Sequence, residues 1–178
     1  MFDNVYTKAK PFQRAKYGVI NIVNDPVGIK AAHGYGDSHF VMKGVRLRAS
    51  FSDCDTASAA SILASCEHYC HVMDRYDDSA LRSVIDVATG KTAWIDSSLI
   101  GCFKEVQYHG EIQFAKNIKR VVVNDRHKGD KNMSKILDQF CEKNGCDWLY
   151  CDDLRKETES NHAKKQQQQA ADEEGKKE

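Results

Sequence analysis

No stretch of this chain of 178 residues approaches the roughly 18 apolar residues of a membrane-crossing helix. The opening segment, MFDNVYTKAKPFQRAKYG, lacks the apolar stretch of a secretory leader. Net charge is absent too, because 26 basic residues balance 26 acidic ones. A footprint for nucleic acid or an anionic membrane spread over the whole domain needs a basic excess, so neither partner is expected. The seven cysteines are odd in number and irregularly spaced. Without an export signal they read as reduced thiols in an intracellular, cytoplasmic protein, and a disulfide framework is excluded as the main stabiliser. No proline follows Pro26, and no internal repeat is found.

What is present suffices for one core. Hydrophobic residues make up 41% of the chain and mean hydropathy is −0.60, and a single domain of this length buries roughly 70% of its unfolded-chain surface. The expected domain is 1–154. From Arg155 onward there is no aromatic residue and no aliphatic one larger than alanine, so 155–178 is expected to be a disordered polar tail. Within the domain, GVINIV (18–23) reads as a strand ended by the turn residues Asn24, Asp25, Pro26 and Gly28. HFVMK (39–43) and RLRASF (46–51) read as two more strands. A helix is expected over 57–76, with Asp55 or Thr56 as its cap and Ile62, Cys66, Tyr69, Met73 and Tyr76 on one apolar face. A second helix, 79–88, turns Leu81, Val84, Ile85 and Ala88 inward and ends at Gly90. FKEVQY (103–108), EIQF (111–114) and KRVVV (119–123) read as strands. A last helix over 132–143 packs Met133, Ile136, Leu137 and Phe140 and stops at Gly145, before a closing strand DWLYC (147–151). Strands flank a helical block on both sides, which predicts an α+β fold.

The strand 103–108 carries the most chemistry. Alternation puts Phe103, Glu105 and Gln107 on one face and Lys104, Val106 and Tyr108 on the other. That face is either a cleft wall that aims a carboxylate or the solvent side of an edge strand. Asn21 interrupts the first strand, where asparagine is disfavoured, so it either bonds the backbone or reaches into a site. Cys66, His68, Cys70 and His71 invite a metal reading, but no second ligand pair has zinc spacing, so no metal is expected and the cysteines read as core. Cys54 and Cys102 both lie near loops, and nothing selects either as a nucleophile. HGYGDS (33–38) lacks the lysine of a phosphate loop.

KYGVINIVNDPVGIKAAHGYGDSHFVMKGVRLRASFSDCDT (16–56), followed by KEVQYHGEIQF (104–114), resembles the ubiquitin-threonine ADP-ribosyltransferases, bacterial effectors and their relatives first catalogued as a domain of unknown function. The likeness spans most of residues 1–125. It implies an ADP-ribosyltransferase-like split pair of small sheets with flanking helices. It also implies NAD as a substrate and mono-ADP-ribosylation of a protein hydroxyl, with a ubiquitin threonine as the family's acceptor. Glu105 would then be the catalytic carboxylate and Gln107 a catalytic residue that steadies the ribose or the acceptor, while Tyr17, Gly18, Asn21 and Ser38 would bind the cofactor. The family's Arg-x-Gln-Phe-Glu-Thr-Gly-like segment has no counterpart here, and MFDNVY resembles the residues just after it, so the likeness implies an N-terminally incomplete chain. The alternative expectation is a catalytically inactive or truncated binding module. For the thiols, alkylation of the native protein followed by mass analysis should find no cysteine blocked in a disulfide, and blocked cysteines would contradict the reduced state.

Overall fold

The computed structural model describes residues 4–57 and 62–174. Its strands are β1 (Lys16–Val19), β2 (His39–Met42), β3 (Ala49–Ser52), β4 (Leu63–Ser65), β5 (Glu105–Tyr108), β6 (Ile118–Val123) and β7 (Asp147–Tyr150). Its helices are α1 (Cys70–Met73), α2 (Asp78–Ala88), α3 (Phe114–Asn117), α4 (Lys131–Asn144) and α5 (Cys151–Glu174). The first sheet is antiparallel in the order β1-β5-β3-β4, and the second runs β2-β6-β7 with β6 and β7 parallel. The fold class is therefore α+β with two small sheets, as expected.

Local chemistry accounts for the helices that the pattern located. Asp77 caps α2 by accepting from the Ala80 amide at 2.8 Å, and Gly90 leaves the helix at φ 73°. The inward face of α2 is Ala80, Val84 and Val87, with Leu81 partly buried, whereas Ile85 and Ala88 are exposed. Asp130 caps α4 through the amides of Asn132 and Met133, and Gly145 ends it in the left-handed region. Met133, Leu137 and Phe140 pack on Val121 and Val123, while Ile136 points to solvent. A separate core joins Val23, Ile29, Tyr76, Val84 and Ile100.

Four of the elements expected within 1–154 need correction. The first strand starts earlier and stops at Val19, because the Asn21 side chain both accepts from the Asp25 amide (2.9 Å) and donates to its carbonyl (2.8 Å), winding 21–25 into a turn. Residues 46–48 form a 3₁₀ turn, so the third strand begins at Ala49. No helix runs through 62–76. Leu63–Ser65 instead pair with β3 and only Cys70–Met73 are α-helical, leaving Cys70 exposed; 58–61 lie outside the described residues. EIQF is not a strand either, since Phe114 opens α3.

The segment expected to be disordered is helical through Glu174. Asp152 and Asp153 occupy its first turn, where the helix dipole favours them. Trp94 donates to Glu159 at 3.1 Å and lies under the Arg155 guanidinium. Arg120 of β6 binds Glu157 of α5 and Asp147 of β7, which holds the Asp147 carboxyl below its ordinary range. Beyond His162, which meets the Gly90 carbonyl, the helix is exposed on all sides and rests on the helix propensity of Ala, Gln, Lys and Glu. No described helix is long and apolar enough to cross a membrane. Asp130→Ala should cost about 1 kcal/mol through loss of the α4 cap, read as a lower urea midpoint with an unchanged slope.

Candidate active site

β5 is an interior strand, hydrogen-bonded to β1 on one side and β3 on the other. The register sets Tyr17 opposite Gln107, Val19 opposite Glu105, and Ser50 opposite Gln107. Opposed residues of antiparallel strands share a face, so Glu105, Gln107, Tyr17 and Ser50 stand on one side of the sheet. The expected alternation along β5 holds. The solvent-side alternative for this face does not, since Glu105 is 8% exposed and Gln107 is fully buried.

The polar groups on this face form one directed chain of hydrogen bonds. Gln107 donates through Nε2 to Glu105 Oε1 (2.8 Å) and to Ser52 Oγ (3.2 Å). Ser50 Oγ donates to Gln107 Oε1 at 2.9 Å. His109 Nε2 lies 2.8 Å from Ser50 Oγ, and the Tyr6 hydroxyl lies 2.7 Å from His109 Nδ1. Because the Ser50 proton is committed to Gln107, His109 donates from Nε2 to Ser50, and burial, which lowers its pKa, favours the neutral ring with Nδ1 accepting from Tyr6. From the other side, Thr56 donates to Glu105 Oε1 at 2.5 Å. Gln107 and Thr56 thus both donate to the same oxygen of Glu105. Both bonds fall on Oε1, and Oε2 has no hydrogen-bond partner among the described residues.

Sequence reasoning missed Ser50, Ser52, Thr56, His109 and Tyr6. Two of these signals were available: Ser50 and Ser52 alternate on β3, and His109 continues the two-residue period of Glu105 and Gln107. Thr56 and Tyr6 come from loops, where no period exists to read.

The four expected cofactor residues are scattered. Tyr17 shares the Glu105 face and is 59% exposed. At Gly18 a Cβ would meet the Tyr108 ring at 3.0 Å, on the opposite face of the sheet. The Asn21 amide is engaged by Asp25. Ser38 lies beside the second sheet, where its hydroxyl accepts from the Asn124 amide. A cavity of about 310 Å³ lined by Val106, Tyr108, Phe51 and Arg46 opens on the face away from Glu105, and another of about 430 Å³ lies between β6 and α4. Among the described residues no three His, Cys, Asp or Glu side chains converge as metal ligands.

Burial lowers the pKa of His109, and burial followed by the nearby His33 lowers that of His39. A depressed imidazole pKa means that the unfolded chain binds the proton more readily. The stability these residues contribute is therefore present above their unfolded value of about 6.5 and is lost as pH falls below it. The urea midpoint should drop between pH 7.5 and pH 5, and His39→Asn with His109→Gln should flatten that slope; an unchanged slope contradicts neutral burial. Compared with models of known protein families and with characterised proteins, the chain matches none, so its reading rests on this geometry and on the sequence likeness.

Proposed function

We propose that the chain is an NAD-dependent mono-ADP-ribosyltransferase core that modifies a protein hydroxyl, with a ubiquitin threonine as the acceptor the sequence likeness suggests. The observation that carries this reading is the asymmetry of Glu105: Oε1 is fixed by Gln107 and Thr56, while Oε2 has no partner among the described residues. Breaking the nicotinamide–ribose bond builds positive charge on the ribose. A carboxylate fixed in advance beside that charge stabilises the transition state without reorganising. In this reading Glu105 Oε2 accepts from a ribose hydroxyl and faces the developing charge. Gln107 and Thr56 hold the carboxylate in one orientation, and Ser50, itself bonded by His109, holds Gln107. The exposed Tyr17 ring offers an aromatic surface on the same face, suited to stacking with a flat heterocycle.

A second reading is a catalytically inactive or truncated ADP-ribosyltransferase-like binding module. It is favoured by Arg48, whose guanidinium is engaged by the carbonyls of His109 and Glu111, and by Arg14, which bonds the Ala9 carbonyl. Neither is held toward the Glu105 face by the bonds it makes.

Nicotinamide release from NAD, with and without ubiquitin, separates the readings. Glu105→Gln should lower release by about a hundredfold. It should also leave the melting temperature within about 4 °C, because an amide oxygen can still accept from Gln107 and Thr56. Equal release from both proteins contradicts the role of Glu105, and no release from either supports the binding module.

A further inference from the structure

Two thiols meet where α4 gives way to β7, and neither takes part in the Glu105 site. Gly145 leaves the helix in the left-handed region, and the amides of Gly145 and Cys146 both donate to the Cys141 carbonyl, the second at 3.2 Å. In a helix end closed this way, the first side chain past the left-handed residue folds back against the last turn of the helix. Here those two side chains are Cys146 and Cys141. Both pack into the cluster built on Val121 and Val123, with Trp148 and Tyr150 beside them. Both thiols are free.

The two sulfurs differ in reach. Cys141 is 5% exposed, whereas Cys146 is partly open to solvent. Burial first, then the hydrogen-bonding contact with the Cys146 thiol and the charges of Asp147 and Asp138, push the Cys141 thiol up to about 12. Cys141 therefore stands as a neutral thiol behind a more accessible one. The thiols of Cys54 and Cys102 have other partners: Cys54 donates to Asp53, and Cys102 accepts from Lys104.

We propose that Cys141 and Cys146 are a peroxide-sensitive dithiol that closes to an intrachain disulfide across the end of α4. The Cys146 sulfur, as a thiolate, attacks one oxygen of hydrogen peroxide and the O–O bond breaks. The hydroxide that leaves takes up the proton Cys146 gave away, and Cys146 becomes a sulfenic acid. The Cys141 sulfur then attacks the Cys146 sulfur. The S–O bond breaks as the S–S bond forms, and the hydroxyl departs with the Cys141 proton as water. Two thiols thus lose two electrons and two protons, while one peroxide is reduced to two waters. The new bond fastens the last turn of α4 to the approach to β7 and involves no residue of the Glu105 site.

The full chain is treated with hydrogen peroxide, remaining thiols are blocked with iodoacetamide, and unreduced tryptic peptides are read by tandem mass spectrometry. Cleavage after Lys143 places Cys141 and Cys146 on different peptides, so only a disulfide holds them together. Fragmentation between Cys146 and Cys151 identifies the linked sulfur. The linkage of Cys141 to Cys146 should be the first to appear, and dithiothreitol should remove it. Cys141→Ala should leave Cys146 as a sulfenic acid that a dimedone probe labels, whereas Cys146→Ala should leave the buried Cys141 unlabelled. Circular dichroism verifies folding, and the native-chain result decides alone if a variant does not fold. The proposal is overturned if the folded native chain joins Cys54 to Cys102 or any other pair first. It is equally overturned if Cys146 is oxidised without joining Cys141, or if neither of them reacts.

Discussion

A carboxylate on the middle strand of a four-stranded sheet has no edge through which to reach water freely. Glu105 is in that position, and the surrounding structure is arranged around its needs. Removing an ionised carboxylate from water costs several kcal/mol unless donors replace the water. Two donors do so here, Gln107 from two residues along the strand and Thr56 from the turn after β3, with the Ser50–His109–Tyr6 row behind Gln107. Satisfying Glu105 therefore fixes β3 against β5 and draws the N-terminal segment to the end of the sheet.

The same constraint divides the first sheet by chemistry. One face carries Ser50, Gln107 and Glu105, while the other carries Val106, Phe51 and Tyr108 above an apolar cavity. The second sheet is tied together by other means. Arg120 links β6 to β7 and α5 through Asp147 and Glu157, and α4 covers Val121 and Val123. A polar site and an apolar packing surface can thus occupy adjoining small sheets without sharing residues. Lys104 lies one residue before Glu105 but turns its ammonium to Asp53, Cys102 and Tyr76.

The sequence was most legible where local signals agreed with one another. α2 and α4 each combine an aspartate cap, a helical apolar period and a glycine stop, and both helices formed within two residues of expectation. Glu105 and Gln107 could be placed on one face because a strand's period of two is fixed by its pleat. The failures are cases where partners distant in sequence outweigh a local pattern. Ile62, Cys66, Tyr69 and Met73 are spaced for a helix, yet Leu63–Ser65 are drawn into pairing with β3. GVINIV favours a strand by propensity, but one asparagine side chain bonding Asp25 twice turns the chain at residue 21. Residues 155–174 bury little apolar surface, and composition alone does not reveal that a helix anchored at its first turns needs none beyond them. The likeness to ADP-ribosyltransferases directed attention to Glu105 and Gln107. Thr56 and the His109 row, which complete the site, needed the three-dimensional register.

Glu105 Oε2, which has no hydrogen-bond partner among the described residues, is where the proposed chemistry and the fold meet, and it can be examined directly. A crystal structure of the chain with a non-hydrolysable NAD analogue should place a ribose hydroxyl within hydrogen-bond distance of Glu105 Oε2, with Oε1 still held by Gln107 and Thr56. An analogue bound elsewhere, or an Oε2 bonded only to protein, would contradict the role assigned to Glu105.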